Sequence, residues 1–208
     1  MPGDRRPRAG RPGGGCGDCH RRQAAGGDPP RARRRIGGAA RGARRAVSVF
    51  WLGLGSNLGD RADALRWAID RLTEEGAQVQ AVSSLYATAP QGVEDQPEFL
   101  NAACRVATDL DPPGMLALAK RLEASAGRVD GPRWGPRPLD IDILAWDGGA
   151  WRAPDLTVPH ERLHERRFAL QPLVEIDPDM ALPSGERISA LLEAIPAGEQ
   201  RVTRAAFP

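Results

Sequence analysis

Asp140 and Asp142 alternate with Leu139, Ile141 and Ile143 in a short run of strand-forming residues. Successive side chains on a strand point to opposite faces. The aliphatic three therefore enter a core, and the two carboxylates share the other face, about 7 Å apart. Carboxylates so placed repel each other unless a cation lies between them. Hard oxygen ligands of this kind suit Mg2+, which takes one or two carboxylates together with substrate phosphates. A D-x-D pair alone also fits an ordinary solvated strand. The segment before it shifts the balance: Arg128, Arg133 and Arg137 stand within ten residues, around Arg133-Trp134-Gly135-Pro136-Arg137-Pro138. Guanidinium groups grip phosphate oxygens two at a time and stay charged at any working pH. Glycine and proline make this segment a loop, able to close over a ligand. Arginines beside a metal-binding aspartate pair are the parts of polyphosphate chemistry; the plainer alternative is Arg–Asp salt bridging within the protein.

Phe99 and Asn101 are two residues apart on a predicted strand, so they share a face. An aromatic plane beside an amide suits a flat heteroaromatic ring with hydrogen-bonding edges. A core phenylalanine and a strand-end asparagine is the plainer reading of these two taken alone. His160 follows Val158-Pro159 and precedes Arg166, Arg167 and Phe168; a lone histidine is more often structural. Gly53-Leu54-Gly55-Ser56-Asn57 is a glycine-rich run after a strand, but neither G-x-G-x-x-G nor the Walker A pattern occurs, and Lys120 is the sole lysine. Rossmann, P-loop and protein-kinase sites are therefore excluded.

These residues need a scaffold. Val47 to Leu54 reads as a first strand. Leu65, Ala68, Ile69 and Leu72 recur at helical spacing, and the helix ends near Gly76. Val79 to Leu85 reads as a second strand, Thr88 to Pro97 as a loop, and Phe99 to Thr108 as a third strand. Asp111-Pro112-Pro113 opens a second helix, with Met115, Leu118, Ala119 and Leu122 as its apolar face and Gly127 as its stop. Leu139 to Trp146 is a fourth strand. The pattern predicts an α+β fold with a ferredoxin-like βαββαβ core. An added hairpin around Trp151–Leu156 follows, then helical segments near Arg166–Val174 and Ile188–Ile195.

Together the strings resemble the 6-hydroxymethyl-7,8-dihydropterin pyrophosphokinase family of folate biosynthesis. The matching pieces run in order from Gly53-Leu54-Gly55-Ser56-Asn57, through Ser84-Leu85-Tyr86-Ala87-Thr88-Ala89-Pro90 and Asp95-Gln96-Pro97-Glu98-Phe99-Leu100-Asn101. Glu123, Gly127-Arg128 and the W-G-P-R-x-x-D-x-D-I string follow, then Val158-Pro159-His160 and Arg166-Arg167-Phe168. The resemblance implies transfer of the β,γ-pyrophosphoryl group of ATP, the co-substrate, to the pterin's hydroxymethyl oxygen, with release of AMP. It implies that Asp140 and Asp142 hold two Mg2+ ions and that Arg128, Arg133 and Arg137 meet phosphates, Arg128 and Arg137 with catalytic roles. Ile143, Thr157 and His160 join the ATP site. Phe99 and Phe168 sandwich the pterin ring, Thr88, Pro90, Gln91 and Asn101 read its edges, and Trp134 and Arg166 lie nearby. One departure stands out: the family often carries a second basic residue two positions after the Gly-Arg of the loop, and here that place is Asp130.

Charge separates the chain into two parts. Residues 1–45 hold 13 arginines against 3 aspartates, with 11 glycines and 5 prolines; the remainder holds 16 basic and 24 acidic residues. The tail cannot bury enough apolar surface to offset its chain entropy and is expected to be disordered. The enzymatic domain is expected over residues 46–208. A dense arginine tail could bind nucleic acid weakly through phosphates. The preferred reading is an upstream stretch, or a start placed too early, without a role, and no specific nucleic acid is expected. Cys16-Gly17-Asp18-Cys19-His20 matches the haem-attachment string, but the tail offers no second axial ligand, no apolar pocket and no further zinc ligands.

No run approaches 18 apolar residues, no signal-peptide core is visible, and the body's only cysteine is Cys104. A cytoplasmic monomer acting on small molecules, away from membranes, is expected. Two other readings compete with the enzyme. An RNA-binding module lacks its aromatic strand motif here and would sit on an acidic body. An inactive pterin-binding relative finds support only in Asp130.

Overall fold

The computed structural model describes residues 47–90, 96–128 and 135–205, and there the chain builds an antiparallel sheet around its first strand. Alternation along β1 (Ser48–Ser56) buries Phe50, Leu52 and Leu54 on one face and turns Trp51, Gly53 and Gly55 to the other. β1 pairs with β4 (Phe99–Thr108) on one side and β5 (Asp140–Trp146) on the other. β2 (Gln78–Val82) and β3 (Leu85–Thr88) share the outer edge of β4, and β8 (Val202–Ala205) lies beyond β3. The order is β5-β1-β4-β3-β8, with β2 paired to β4. β6 (Trp151–Ala153) and β7 (Leu156–Val158) form the expected separate hairpin.

Two helices cover the first face. The Asp60 carboxylate accepts the Asp63 N–H and starts α1 (Arg61–Glu74), which buries Leu65, Ala68 and Leu72. The Asp111 carboxylate accepts the Gly114 N–H at 2.9 Å and starts α2 (Pro112–Ser125), with Met115, Leu118, Ala119 and Leu122 inward. Each helix is followed by a glycine at positive φ, Gly76 and Gly127, both at 88°. This face is closed and apolar, so deleting one of its buried leucines costs about 2–5 kcal/mol.

The second face is covered over part of its area. α3 (Arg167–Ile176) and α4 (Ile188–Ala194) pack on Trp51, Leu144 and Ala145. A bulge makes this possible: the β1–β5 register slips by one residue between Trp51 and Leu52, so Leu144 and Ala145 both turn to the same side. Beyond Trp51 the side chains on β1 shrink to Gly53 and Gly55, and the surface there is open.

The predicted strand Val79–Leu85 is two strands. The Ser83 hydroxyl accepts the Ala103 N–H at 2.9 Å, and the Glu175 carboxylate takes the Ser84 N–H at 3.0 Å. These side-chain bonds join the backbone bond from the Ser83 N–H to the Ala103 carbonyl at 2.9 Å, and the second piece runs on to Thr88, into the predicted loop. β8 has no counterpart in the sequence reading, because four residues without strict alternation carry little signal.

Candidate active site

Asn57, fully buried after β1, ties together the two strands that carry the site. Its Oδ1 accepts the Arg137 N–H at 2.7 Å and its own N–H donates to the Arg137 carbonyl at 3.1 Å. Its side-chain amide donates to Gln96 Oε1 at 3.0 Å and to the Pro97 carbonyl at 3.3 Å. The entry to β5 and the entry to β4 are therefore fixed against each other. This explains an asparagine directly after the glycine-rich run.

Asp140 and Asp142 share the open face as expected, while Ile141 and Ile143 enter the core. The aspartates are not an unpaired, repelling couple, however. Asp140 Oδ1 accepts from Arg128 Nη1 at 2.8 Å and Arg137 Nη1 at 2.7 Å. Asp142 Oδ2 accepts from Arg166 Nη1 at 2.8 Å. Three guanidinium groups supply the positive charge that the spacing demanded.

Behind them Glu123 accepts the Ile141 N–H at 2.8 Å and pairs with Arg128. Burial pushes its carboxyl up to about 7; Asp140 adds to the rise, and the Ile141 N–H and Arg128 oppose it. Burial, then the Asp140 charge, also raises Asp142, against the pull of His160 and Arg166. Burial lowers the His160 imidazole, and Arg166 and Arg162 lower it further, whereas Asp142 and Glu161 oppose. His160 Nδ1 accepts the Arg162 N–H at 3.1 Å, which places the neutral ring's proton on Nε2. That Nε2 lies 3.2 Å from Arg166 Nη1. Two donors side by side suit an anion. Arg166 Nε is buried with no hydrogen-bond partner.

Next to this charged cluster, Phe99, Asn101, Thr88 and Phe168 line the same cavity of about 250 Å3. Asn101 Nδ2 donates to Thr88 Oγ1 at 2.8 Å, which fixes the amide's orientation. Arg166 lies over the Phe168 ring, 5.6 Å from its centroid. Gly55 stands between Asn101 and Asp140 in the strand register. A Cβ there would sit 3.2 Å from Asn101 Oδ1, so the glycine keeps the cavity floor open.

The fold thus brings together Arg137, Asp140, Asp142, His160, Arg166 and the aromatic pair. Arg128 joins them through Asp140. The Ile143 side chain is in the core, Thr157 and Pro90 are half-buried, and none of the three lines the cavity. Gln91, Arg133, Trp134 and Asp130 lie outside the described residues, as does the tail with its Cys16–His20 string. The sequence reading gave no role to Glu123, Asn57 or Gly55. Glu123 left a signal: it stands one turn beyond Ala119 on the apolar stripe of α2, where a carboxylate is costly without partners.

Among the described residues no three histidine, cysteine or carboxylate side chains gather as a metal cage. Two carboxylates on one strand face fit Mg2+ that shares its ligands with phosphate oxygens. Two carboxylates with their arginines beside two aromatic rings, in one cavity of an α+β fold, form an arrangement suited to a transferase of phosphoryl-type groups.

The comparisons make this specific. A model of the 7,8-dihydro-6-hydroxymethylpterin-pyrophosphokinase family matches residues 51–178. The chain belongs to this family. It is 45% identical over 154 residues to the 2-amino-4-hydroxy-6-hydroxymethyldihydropteridine pyrophosphokinase of Methylorubrum extorquens, covering 73% of this chain and 97% of that one. It is 46% identical over 125 residues to the mitochondrial folate synthesis bifunctional protein of Pisum sativum, covering 60% of this chain and 24% of that protein. A crystal structure of the wild-type HPPK-DHPS of Plasmodium falciparum aligns with a TM-score of 0.55 at 15% identity, over 71% of this chain and 44% of that one. That last likeness concerns the fold alone. The chain spans less than half of these two longer proteins.

Proposed function

We propose that this protein transfers the pyrophosphoryl group of ATP to the hydroxymethyl oxygen of 6-hydroxymethyl-7,8-dihydropterin, releasing AMP, as a step of folate synthesis. The observation that carries the reading is the junction of two unlike halves in one cavity. The Asp140–Asp142 face with its arginines adjoins the slot of Phe99, Asn101 and Phe168. The family to which the chain belongs supports it independently.

The pterin lies between Phe99 and Phe168, with Asn101 and Thr88 at its edge. The hydroxymethyl oxygen then attacks the β-phosphorus of ATP. The oxygen–phosphorus bond forms, the bond from the β-phosphorus to the α–β bridging oxygen breaks, and AMP leaves with that electron pair. The alcohol proton passes to solvent. Asp140 and Asp142 would hold two Mg2+ ions, which when bound neutralise charge on the triphosphate. Arg128 and Arg137 exchange their hold on Asp140 for phosphate oxygens, and Arg166 and His160 offer their donors to the same chain of phosphates. Because each aspartate gives up a guanidinium when it takes a cation, nucleotide and metal bind better together than either alone. Positioning and charge stabilisation, with no covalent intermediate, carry the rate.

The strand order, with α1 and α2 crossing one face, supports a ferredoxin-like core carrying the β6–β7 hairpin and C-terminal elements. The active unit begins near Ala46, acts as a monomer and works in the cytoplasm. No helix among the described residues is long and apolar enough to cross a membrane. The test is nucleotide analysis by anion-exchange chromatography after incubation with ATP and the reduced pterin. AMP and diphosphorylated pterin in equal amounts are expected. Stoichiometric ADP with a monophosphorylated pterin would overturn the reading.

A further inference from the structure

Arg166 serves both halves of the cavity, since its guanidinium meets Asp142 and His160 and covers Phe168. It sits at the junction between the helical turn Leu163–Glu165 and α3, and its own side chain does not cap the helix. The two peptide groups that flank it are held from elsewhere. Gln200 Oε1 accepts the Arg167 N–H at 2.9 Å, and Gln200 Nε2 donates to the Glu165 carbonyl at 2.7 Å. One amide side chain thus brackets Arg166 on both sides and supplies the missing cap to the first turn of α3. Arg167 returns the contact, donating to the Leu192 and Ile195 carbonyls at the end of α4 at 3.2 and 2.8 Å. Two residues after Gln200, Val202 opens β8 opposite Thr88, the residue that orients Asn101. All of this bracing comes from chain beyond residue 178, where the family match ends.

We propose that Gln200 is a positioning residue for Arg166, and that the segment after α4 sets the alignment of the phosphate side with the ring slot. A bracket on both flanking peptides fixes the backbone torsions of Arg166. These in turn aim a long side chain whose end must reach three partners. Loss of the bracket leaves Arg166 present but loosely aimed, and loosely aimed charges stabilise a transition state poorly.

The kinetic arm of the test rests on the pyrophosphokinase reading; the structural arm does not. Gln200→Ala, Arg166→Ala and the double variant are compared with the unaltered chain by AMP formation and by amide hydrogen exchange. Gln200→Ala should lower kcat/KM about tenfold, as residues that orient ligands elsewhere do. In the Arg166→Ala background the same change should cost less than about twofold, because the residue it positions is gone. Unchanged kcat/KM in Gln200→Ala, or the same factor in both backgrounds, would overturn the proposal. Independently of turnover, the Arg167 amide should exchange about tenfold faster or more in Gln200→Ala. Undiminished protection there would overturn the bracket itself. A chain that forms no AMP would sink the functional reading and leave the exchange result standing.

Discussion

The two faces of the sheet share strands but not duties. Under α1 and α2, Phe50, Leu52, Leu54 and Ile143 pack in one apolar cluster. On the opposite face, neighbouring residues of the same strands are Gly53, Gly55, Asp140 and Asp142, and they meet guanidinium groups and open cavity. One face is optimised for burial. The other holds like charges close together and keeps glycine at the cavity floor, where a Cβ would crowd Asn101. Stability and function are separated by the alternation of a strand, at a distance of one residue.

That separation is sharpest at β5, where the largest effects should appear. Asp140→Ala or Asp142→Ala should cut turnover by at least about 10³-fold, the scale of losing metal-assisted charge neutralisation. Stability should change by about 1 kcal/mol or less, since the lost ion pairs are partly exposed. Leu52→Ala, fully buried opposite Ile143 of the same strand pair, should do the reverse: about 2–5 kcal/mol of stability lost, with kcat per folded molecule nearly kept. Steady-state kinetics with thermal melts on the three variants checks the contrast. Turnover close to normal in both aspartate variants at saturating Mg2+ would break it.

Arg137→Ala should come next, at about 10²–10³-fold in kcat, by analogy with the loss of one preorganised donor at a developing charge. Its backbone is pinned by Asn57, so the side chain can be removed without freeing the strand entry. Retained kcat with a raised KM for ATP would instead make Arg137 a binding residue only.

On the slot side the expected effects shrink. Phe99→Ala and Phe168→Ala should each weaken pterin binding about tenfold or more, with ATP binding little altered, since stacking adds about 0.5–1.5 kcal/mol to area burial. Gly55→Ala should act in the same direction by crowding Asn101. Titration calorimetry with each ligand separates the cases, and equal weakening toward ATP and pterin would argue for a shared defect.

The strand face of Asp140 and Asp142, the two capped helices and the slot pair Phe99 and Asn101 were legible in the sequence, because each rests on local periodicity or a cap. Arginines near Asp140 were legible too, but the partner of Asp142 was not. Arg166 reaches Asp142 across 24 positions, and Glu123 reaches Ile141 across 18. Contacts of that span depend on how strands and helices are stacked, which periodicity does not encode. The same reason hid β8, whose pairing with β3 is set by a return of the chain from α4. The requirement for a cation beside the aspartates is met at Asp140 by Arg137, three residues away, and Arg128, and at Asp142 by Arg166, whose approach depends on the stacking of distant elements.

The smallest expected effect tests whether the buried side of the site belongs to the stability ledger or to the chemistry. Glu123 is held near 7 rather than at its ordinary 4.5, chiefly by burial. A carboxyl whose folded value is raised binds its proton more tightly in the folded chain. Its contribution is therefore fully present below about 4.5 and is lost as pH rises toward 7. Ligand-free protein should accordingly become less stable across that window by an amount that Glu123→Gln removes, since the amide oxygen can still accept the Ile141 N–H. Urea unfolding at a series of pH values, with and without the substitution, reads the difference directly. A slope that persists in Glu123→Gln would assign the titration to Asp142 or another group and return Glu123 to the role of a plain strut for Arg128.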